Sequence, residues 1–301
     1  SVLITVLEVI MSKKKWLIGS VLVLSIVGAT ILGRELVSAR TNHTIKNESN
    51  KEVRVIKVAY SQAHAPYNFT NENGEPDGYE ASVLKAIDEK LPGYRFEYEG
   101  TNDEALLIGL ESGKYDIGTK AAWYTDERAK KFIIPKEPIG ASIIGFTVRK
   151  EDEQKYKNID DFAKNKGKLV PISPQNAQWS VITDYNDKHQ DTPIDLTAAE
   201  SFKVADAYAW VLEGRYDAYF DVKLSFEKSV RSDSGPYHQY ADKLSWFPYK
   251  GILTYPLLHR SKENEQFAKD YDAAIKDLKE DGTLARLSEQ FFGEDVFSYA
   301  D

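Results

Sequence analysis

The chain has 301 residues, with 39 Lys+Arg against 47 Asp+Glu, no Cys and one Met. That length fits one large domain or two ordinary ones, and 42% hydrophobic residues are enough for a globular core. The absence of Cys excludes a disulfide scaffold, thiolate zinc sites and a cysteine nucleophile. The net charge of −8 argues against a broadly basic nucleic-acid surface, while leaving room for a small cationic pocket.

The single methionine is Met11, so translation is expected to start there, with residues 1–10 upstream of the product. Lys13, Lys14 and Lys15 precede an uncharged apolar run over 16–33, and Val37-Ser38-Ala39 offers small residues for a cut after Ala39. Residues 1–39 therefore read as an upstream segment and export signal. Eighteen uncharged residues would also serve as an uncleaved anchor. Either way the remainder is expected outside the cytoplasmic membrane, on its outer face or secreted. A lipoprotein is not expected, because no Cys follows the apolar run. Residues 40–52 are polar and read as a flexible tether.

Residues 53–60 alternate and are rich in β-branched side chains, which predicts a strand. Asn71-Glu72-Asn73-Gly74 is turn chemistry. Residues 79–91 place Val83, Ile87 and Leu91 at helical spacing, and 95–99 alternate again. A helix is predicted over 103–112, a strand over 115–119, a helix from Thr125 to about 132, and a strand over 142–149. After a charged stretch at 151–158 the pattern restarts. Helices are predicted over 159–163, 178–189 and 202–212, and strands over 168–172, 194–198 and 217–220. A last strand at 253–259 precedes two helices within 263–292, divided at Asp281-Gly282, with Thr283 capping the second. The alternation predicts an α/β protein whose mostly parallel sheet has helices on both faces, followed by a second, smaller α/β unit.

Several residues are candidates for chemistry. Thr125 suits a helix N-cap, and Asp126 and Glu127 suit its positive end, but Arg128 opposes the macrodipole there. A surface pair with Asp126 or Glu127 would explain it. The sharper reading is that Arg128 faces an anion, since a planar guanidinium holds a carboxylate through two parallel bonds. Trp123 joins it as a pocket wall by position. Ser61, His64 and Tyr67 lie at the carboxyl end of the first strand, where open α/β sheets bind ligands. His64 and Tyr67 read as pocket walls, or as a loop and a core residue. No metal is expected at His64, because no second ligand stands at suitable spacing. Residues 173–178 offer backbone N–H groups at a helix start, as any such loop does. Asp221 ends a strand and would hold an ammonium group or cap a helix. No nucleophile elbow, zinc motif or P-loop occurs, so no catalytic residue, cofactor or metal is assigned.

Three sets of motifs, in order, carry a family resemblance. They are residues 58–67; then Gly78-Tyr79-Glu80, residues 106–116 (LLIGLESGKYD) and Thr125-Asp126-Glu127-Arg128; then Asp281-Gly282-Thr283-Leu284 with Phe291-Phe292-Gly293. Over about 53–296 the chain resembles the family 3 substrate-binding proteins of amino-acid ABC transporters, nearest the Gram-positive cystine- or glutathione-type subgroup. The resemblance implies a two-lobed, periplasmic-binding-protein-like fold of type II, hinged on two crossing strands near 142–145 and 251–253. Lobe 1 would be discontinuous, 53–143 plus 253–301, and lobe 2 would be 144–252. It further implies an extracytoplasmic, non-enzymatic monomer that closes on an amino acid or a polar, cystine-like derivative. The closed form would deliver its ligand to a membrane permease driven by a cytoplasmic ATPase, with no nucleic-acid partner. The alternatives are a ligand-sensing module and a dehydratase-like enzyme. An enzyme would need a poised acid or base, for which Glu80 and His64 are the candidates.

Matched residue by residue, Arg128 takes the place of the arginine that holds the ligand α-carboxylate. Ala121 and Trp123 match positions offering backbone groups, Asn176 and Ala177 the second lobe's carboxylate loop, and His64 an aromatic wall. The chain also departs from the pattern. Ser61 and Ser82 stand where acids are common, Asp103 where an aromatic wall is frequent, and Lys120 where a small residue is usual. The ammonium-binding Asp usually lies five residues after the strand-start Asp; here Asp221 lies four after Asp217, and Val222 occupies the usual place. The expected site is thus Ser61, His64, Tyr67, Ala121, Trp123, Arg128, Asn176, Ala177 and Asp221, polar at its side-chain end and ill suited to a small aliphatic ligand.

Overall fold

A computed structural model describes residues 52–199 and 202–300; the expected export signal and most of the expected tether lie outside the described residues. The β-branched run at the start forms β1 (Arg54–Ser61), which leads into three short strands, β2 (Ala63–His64), β3 (Asn68–Thr70) and β4 (Pro76–Asp77), paired as a small antiparallel sheet. α1 (Tyr79–Lys90) buries Val83, Leu84 and Ile87 along one face, the spacing that marked it as a helix. β5 (Tyr94–Thr101) precedes α2 (Asp103–Ser112), whose first turn is capped by Asn102 Oδ1 accepting from Ala105 N–H at 2.8 Å. β6 (Ile117–Trp123) and α3 (Asp126–Lys131) complete the first alternating run.

The second run contains β7 (Gly140–Arg149), α4 (Ile159–Lys164), α5 (Ala177–Lys188), α6 (Val204–Leu212), β8 (Ala218–Val222) and the one-turn α7 (Lys223–Phe226). β9 (Leu244–Leu258) then returns to the first run, followed by α8 (Lys262–Glu280) and α9 (Thr283–Phe292). The six-stranded sheet has the order β5-β1-β6-β9-β7-β8. It is mixed rather than mostly parallel. β1 runs parallel to β5 and β6, but β6–β9, β7–β9 and β7–β8 are antiparallel.

Much of that difference lies in β9. Its second half is the strand expected at 253–259. Its first half carries Pro248 and Gly251, which interrupt a strand pattern, and it pairs with β7 through a register shift between Ile144 and Gly145. The strands expected over 168–172 and 194–198 shrink to isolated bridges, Leu169 with Ala218 and Ile172 with Ala198. Pro171 removes a ladder donor from the first of them. At the α8–α9 junction Gly282 adopts φ +82°, and Asp281 Oδ1 accepts from Thr283 N–H at 2.9 Å. Thr283 is therefore the first residue of α9 and not its cap.

The apolar side chains gather into two main groups. One packs α1, α8 and α9 on β1, β5 and β6, around Ile56, Val58, Ile87, Phe267 and Tyr271. The other surrounds Phe146, Phe162, Ile182, Phe220 and Phe247. β9 runs through both, with Leu258 in the first and Phe247 in the second, where Phe247 stacks on Phe146 of β7 at 4.9 Å, and Ala141 of β7 pairs with Leu253 between the two groups. Val296 and its neighbours pack on Ala141 and Ile143 between the groups.

The β7–β9 crossing leaves no room for a side chain at Gly145, where a Cβ would lie 2.2 Å from the Phe247 carbonyl oxygen and 2.8 Å from Pro248 Cα. Gly145→Ala is expected to cost about 1–3 kcal/mol in urea denaturation, because the clash is with backbone. Gly93→Ala, with open space around it, is expected to stay within about 0.5 kcal/mol of the parent.

Candidate functional site

The carboxyl ends of β1 and β6 and the turn after β8 converge on a cleft of about 550 Å³. His64, Tyr67, Ala121 and Trp123 line it from the first group of elements. Val222, Lys223, Glu227 and Lys228 line it from the second, and Phe291 and Phe292 from the end of α9.

The wall at Ala121 is held by a buried carboxyl. Glu80, in the first turn of α1, is completely buried. Its Oε1 accepts from Asn68 Nδ2 at 2.6 Å and from Ala121 N–H at 2.8 Å, and Asn68 Oδ1 accepts from Thr119 Oγ1 at 3.2 Å. Ala121 has φ +52°, a left-handed conformation that is costly for a residue with a Cβ. β6 shifts register against β9 between Gly118 and Ala122. Glu80 Oε2 has no partner among the described residues. Burial raises the Glu80 carboxyl to about 7, against the opposing pull of its two hydrogen bonds and of Lys120. The Ala121 N–H is thus occupied inside the protein. Sequence reasoning missed this structural role of Glu80; its place in Gly78-Tyr79-Glu80 was the available signal.

Arg128 is placed by the helix start that the sequence announced. Thr125 Oγ1 accepts from Arg128 N–H at 3.1 Å, and the Arg128 side chain turns back so that Nη1 donates to the Trp123 carbonyl at 2.7 Å. The guanidinium is half-buried, and burial lowers its pKa while Glu127 and Asp103 pull it up. No described carboxylate forms an ion pair with it. Glu127 pairs with Lys131 at 3.6 Å and Asp103 with Lys120 at 3.6 Å, so the surface-pair explanation does not describe Arg128.

His64 and Tyr67 share the wall, with ring centroids 5.2 Å apart. Burial, reinforced by the Lys228 charge, holds the His64 imidazole below its ordinary value, with Asp103 opposing. Tyr67 is buried and its hydroxyl donates to the Ala141 carbonyl at 3.2 Å; burial pushes the phenol up to about 12.

Arg128 is not among the residues lining the cleft, where it is represented by its neighbour Trp123, and other expected residues also stand outside the cleft wall. Ser61 Oγ donates to Asp103 Oδ1 at 2.5 Å, and Asp103 Oδ2 pairs with Lys120, so three departures from the family pattern interlock. Asp221 is only 9% exposed, and its carboxylate accepts three internal hydrogen bonds. Oδ1 accepts from Gln178 Nε2 at 2.9 Å and Val222 N–H at 2.7 Å, and Oδ2 accepts from Tyr219 at 2.6 Å. Strand parity puts Tyr219 and Asp221 on one face and Val222 on the other, which is the face lining the cleft. Asn176 is the N-cap of α5 without a side-chain cap bond, and it borders a separate depression of about 250 Å³ with Gln178 and Tyr219. Ala177 opens the same helix. Lys223, Glu227 and Lys228 were missed, because one turn of helix followed by the π-helical turn Glu227–Arg231 leaves no apolar period to read. Among the described residues no group of three or more His, Asp or Glu could hold a metal ion, and no helix is long and apolar enough to cross a membrane.

Comparison with known proteins bears on this arrangement. The family of bacterial extracellular solute-binding proteins, family 3, matches residues 56–294. The chain is 29% identical over 249 residues to the L-cystine-binding protein TcyJ of Bacillus subtilis, covering 83% of this chain and 88% of that one. The solved structure of a probable amino-acid ABC transporter extracellular-binding protein, ytmK from Bacillus subtilis, aligns with a TM-score of 0.62 at 22% identity, over 81% of this chain and 100% of that chain. The L-cystine solute receptor of Neisseria gonorrhoeae, in an unliganded open conformation, aligns with a TM-score of 0.57 at 22% identity, over 82% and 95%. The fold is therefore the two-lobed type II arrangement that the sequence resemblance implies.

The buried Glu80 carboxyl makes stability depend on pH. Its folded value near 7 lies above the ordinary 4.5, so the fold retains the proton where an unfolded chain has lost it. Its contribution is full below about pH 4.5 and fades as pH rises toward 7. Thermal unfolding across this window is expected to show the parent losing stability relative to Glu80→Gln. Parallel curves for the two proteins would contradict the assignment.

Proposed function

This chain belongs to the bacterial extracellular solute-binding proteins, family 3, and we propose that it captures an amino acid or a polar, cystine-like derivative in the cleft and passes it to an ABC importer. The observation that carries this reading is the half-buried Arg128 guanidinium, fixed on the Trp123 carbonyl and without a carboxylate of its own. A ligand α-carboxylate would take its remaining donors through two parallel charge-assisted bonds. His64, Tyr67 and Trp123 would wall the ligand, and the N–H of Ala177 at the start of α5 would meet it on closure, the Asn176 N–H being engaged by the Ser173 carbonyl at 3.0 Å.

In this reading lobe 1 comprises 53–143 with 253–301 and lobe 2 comprises 144–252. β7 and β9 are the strands on which they close. A ligand that contacts both lobes binds the closed form more tightly and so shifts the population toward it. Asp221 acts by fixing Gln178 in the first turn of α5, and Ser61 acts through Asp103 on Lys120, so neither is assigned a direct ligand contact. The protein works as a non-enzymatic monomer outside the cytoplasmic membrane, with a permease and its cytoplasmic ATPase as partners.

L-Cystine is the first probe, because TcyJ is named for binding it. Charge-assisted hydrogen bonds contribute roughly 1.5–3 kcal/mol, so Arg128→Ala is expected to weaken binding by roughly ten- to a hundredfold in calorimetry. Unchanged affinity would remove Arg128 as the anchor.

A further inference from the structure

One ion pair joins the two walls of the cleft. Lys223, at the start of α7, pairs with Glu294, just past the end of α9, and both residues line the cleft. Of the ion pairs among the described residues, this one alone connects 144–252 with the rest of the chain. It is partly withdrawn from water, with side chains 25% and 24% exposed. A pair so placed is screened less than one on the open surface.

Each partner is fixed to a different group of elements. Lys223 follows Val222, which pairs with Ile144 in the β7–β8 ladder, and the buried Phe226 of α7 stacks on Trp246 at 5.9 Å. Glu294 is held to α9. Gly293 takes φ +75° and turns the chain out of that helix. The fully buried Ser288 of α9 donates from Oγ to the Glu294 carbonyl at 2.6 Å and accepts from Val296 N–H at 3.0 Å. Val296 packs on Ala141 and Ile143, and Ala300 reaches β9 at Gly251, where a Cβ would lie 3.1 Å from the Ala300 nitrogen. Tyr299, in the 3₁₀ turn Val296–Tyr299, donates to Glu294 Oε2 at 2.9 Å and so orients the carboxylate.

We propose that Lys223 and Glu294 form a latch that holds the two lobes close, and that the segment 294–300 is the strap presenting the acid. This inference rests on taking 144–252 as one lobe in the closure on β7 and β9. The two partners stand on opposite walls of the cleft. Widening the cleft draws those walls apart and breaks the pair, whereas narrowing keeps it. The pair therefore favours the narrower cleft before any solute arrives, and contacts from the solute add to that preference. Raising the population of the binding-competent form raises the apparent affinity.

Distance measurement between two spin labels tests this without a solute. The chain has no Cys, so Glu104→Cys on α2 and Ser180→Cys on α5, both exposed, place one label in each lobe. Lys223→Met and Glu294→Gln are each expected to shift the distribution to longer distances. The double variant is expected to shift it no further, since the same pair is lost in every case. In calorimetry with L-cystine, both single variants are expected to bind about three- to tenfold more weakly. If Lys223 instead held the solute, Glu294→Gln would free it and tighten binding. Unchanged distances in both single variants, a double variant equal to the sum of the singles, or tighter L-cystine binding by Glu294→Gln would overturn the latch. A parent that does not bind L-cystine contradicts the proposed solute alone, and the distances then decide the latch by themselves.

Discussion

Drawing a guanidinium partly out of water without giving it a carboxylate is unfavourable, and the protein holds Arg128 in that state. Several features of the surrounding elements serve to maintain it. The buried Glu80 carboxyl holds the Ala121 N–H, Ala121 takes a left-handed turn, and β6 shifts register on β9. Two residues on, the Trp123 carbonyl meets the guanidinium, and Thr125 starts the short helix that carries it. The strain at Ala121 persists because a rigid, fully buried acid fixes it from behind. The sequence of contacts runs from a core helix, through a bent strand, to one half-buried cation beside Trp123.

Around that cation the remaining polar groups satisfy one another. Ser61, Asp103 and Lys120 form one network, Asp221, Gln178 and Tyr219 a second, and Lys223, Glu294 and Tyr299 a third. Residues that stand where the family commonly carries other chemistry therefore compensate internally. This exchange explains why Asp221 is engaged while Val222 faces the cleft.

How much of this could be read from sequence follows from the range of the interactions. α1 and α2 were legible because helical period and caps are local, and Arg128 stood out because its charge conflicts with its place in the first turn. The first half of β9 was illegible because Pro248 and Gly251 break the alternation, while its pairing with β7 comes from residues about a hundred positions away in sequence. Lys223 and Lys228 gave no signal, since only the fold brings the turn after β8 opposite His64. Asp221 lies between these cases. The spacing from Asp217 raised the doubt, and strand parity with Tyr219 resolves which way it turns.

A crystal structure of the protein with L-cystine in the cleft tests the central claim most directly. The account predicts an α-carboxylate about 3 Å from the Arg128 guanidinium, in bidentate geometry, with Nη1 still on the Trp123 carbonyl. A ligand seated in the cleft with both carboxylates turned away from Arg128, and that guanidinium left facing solvent, would contradict it.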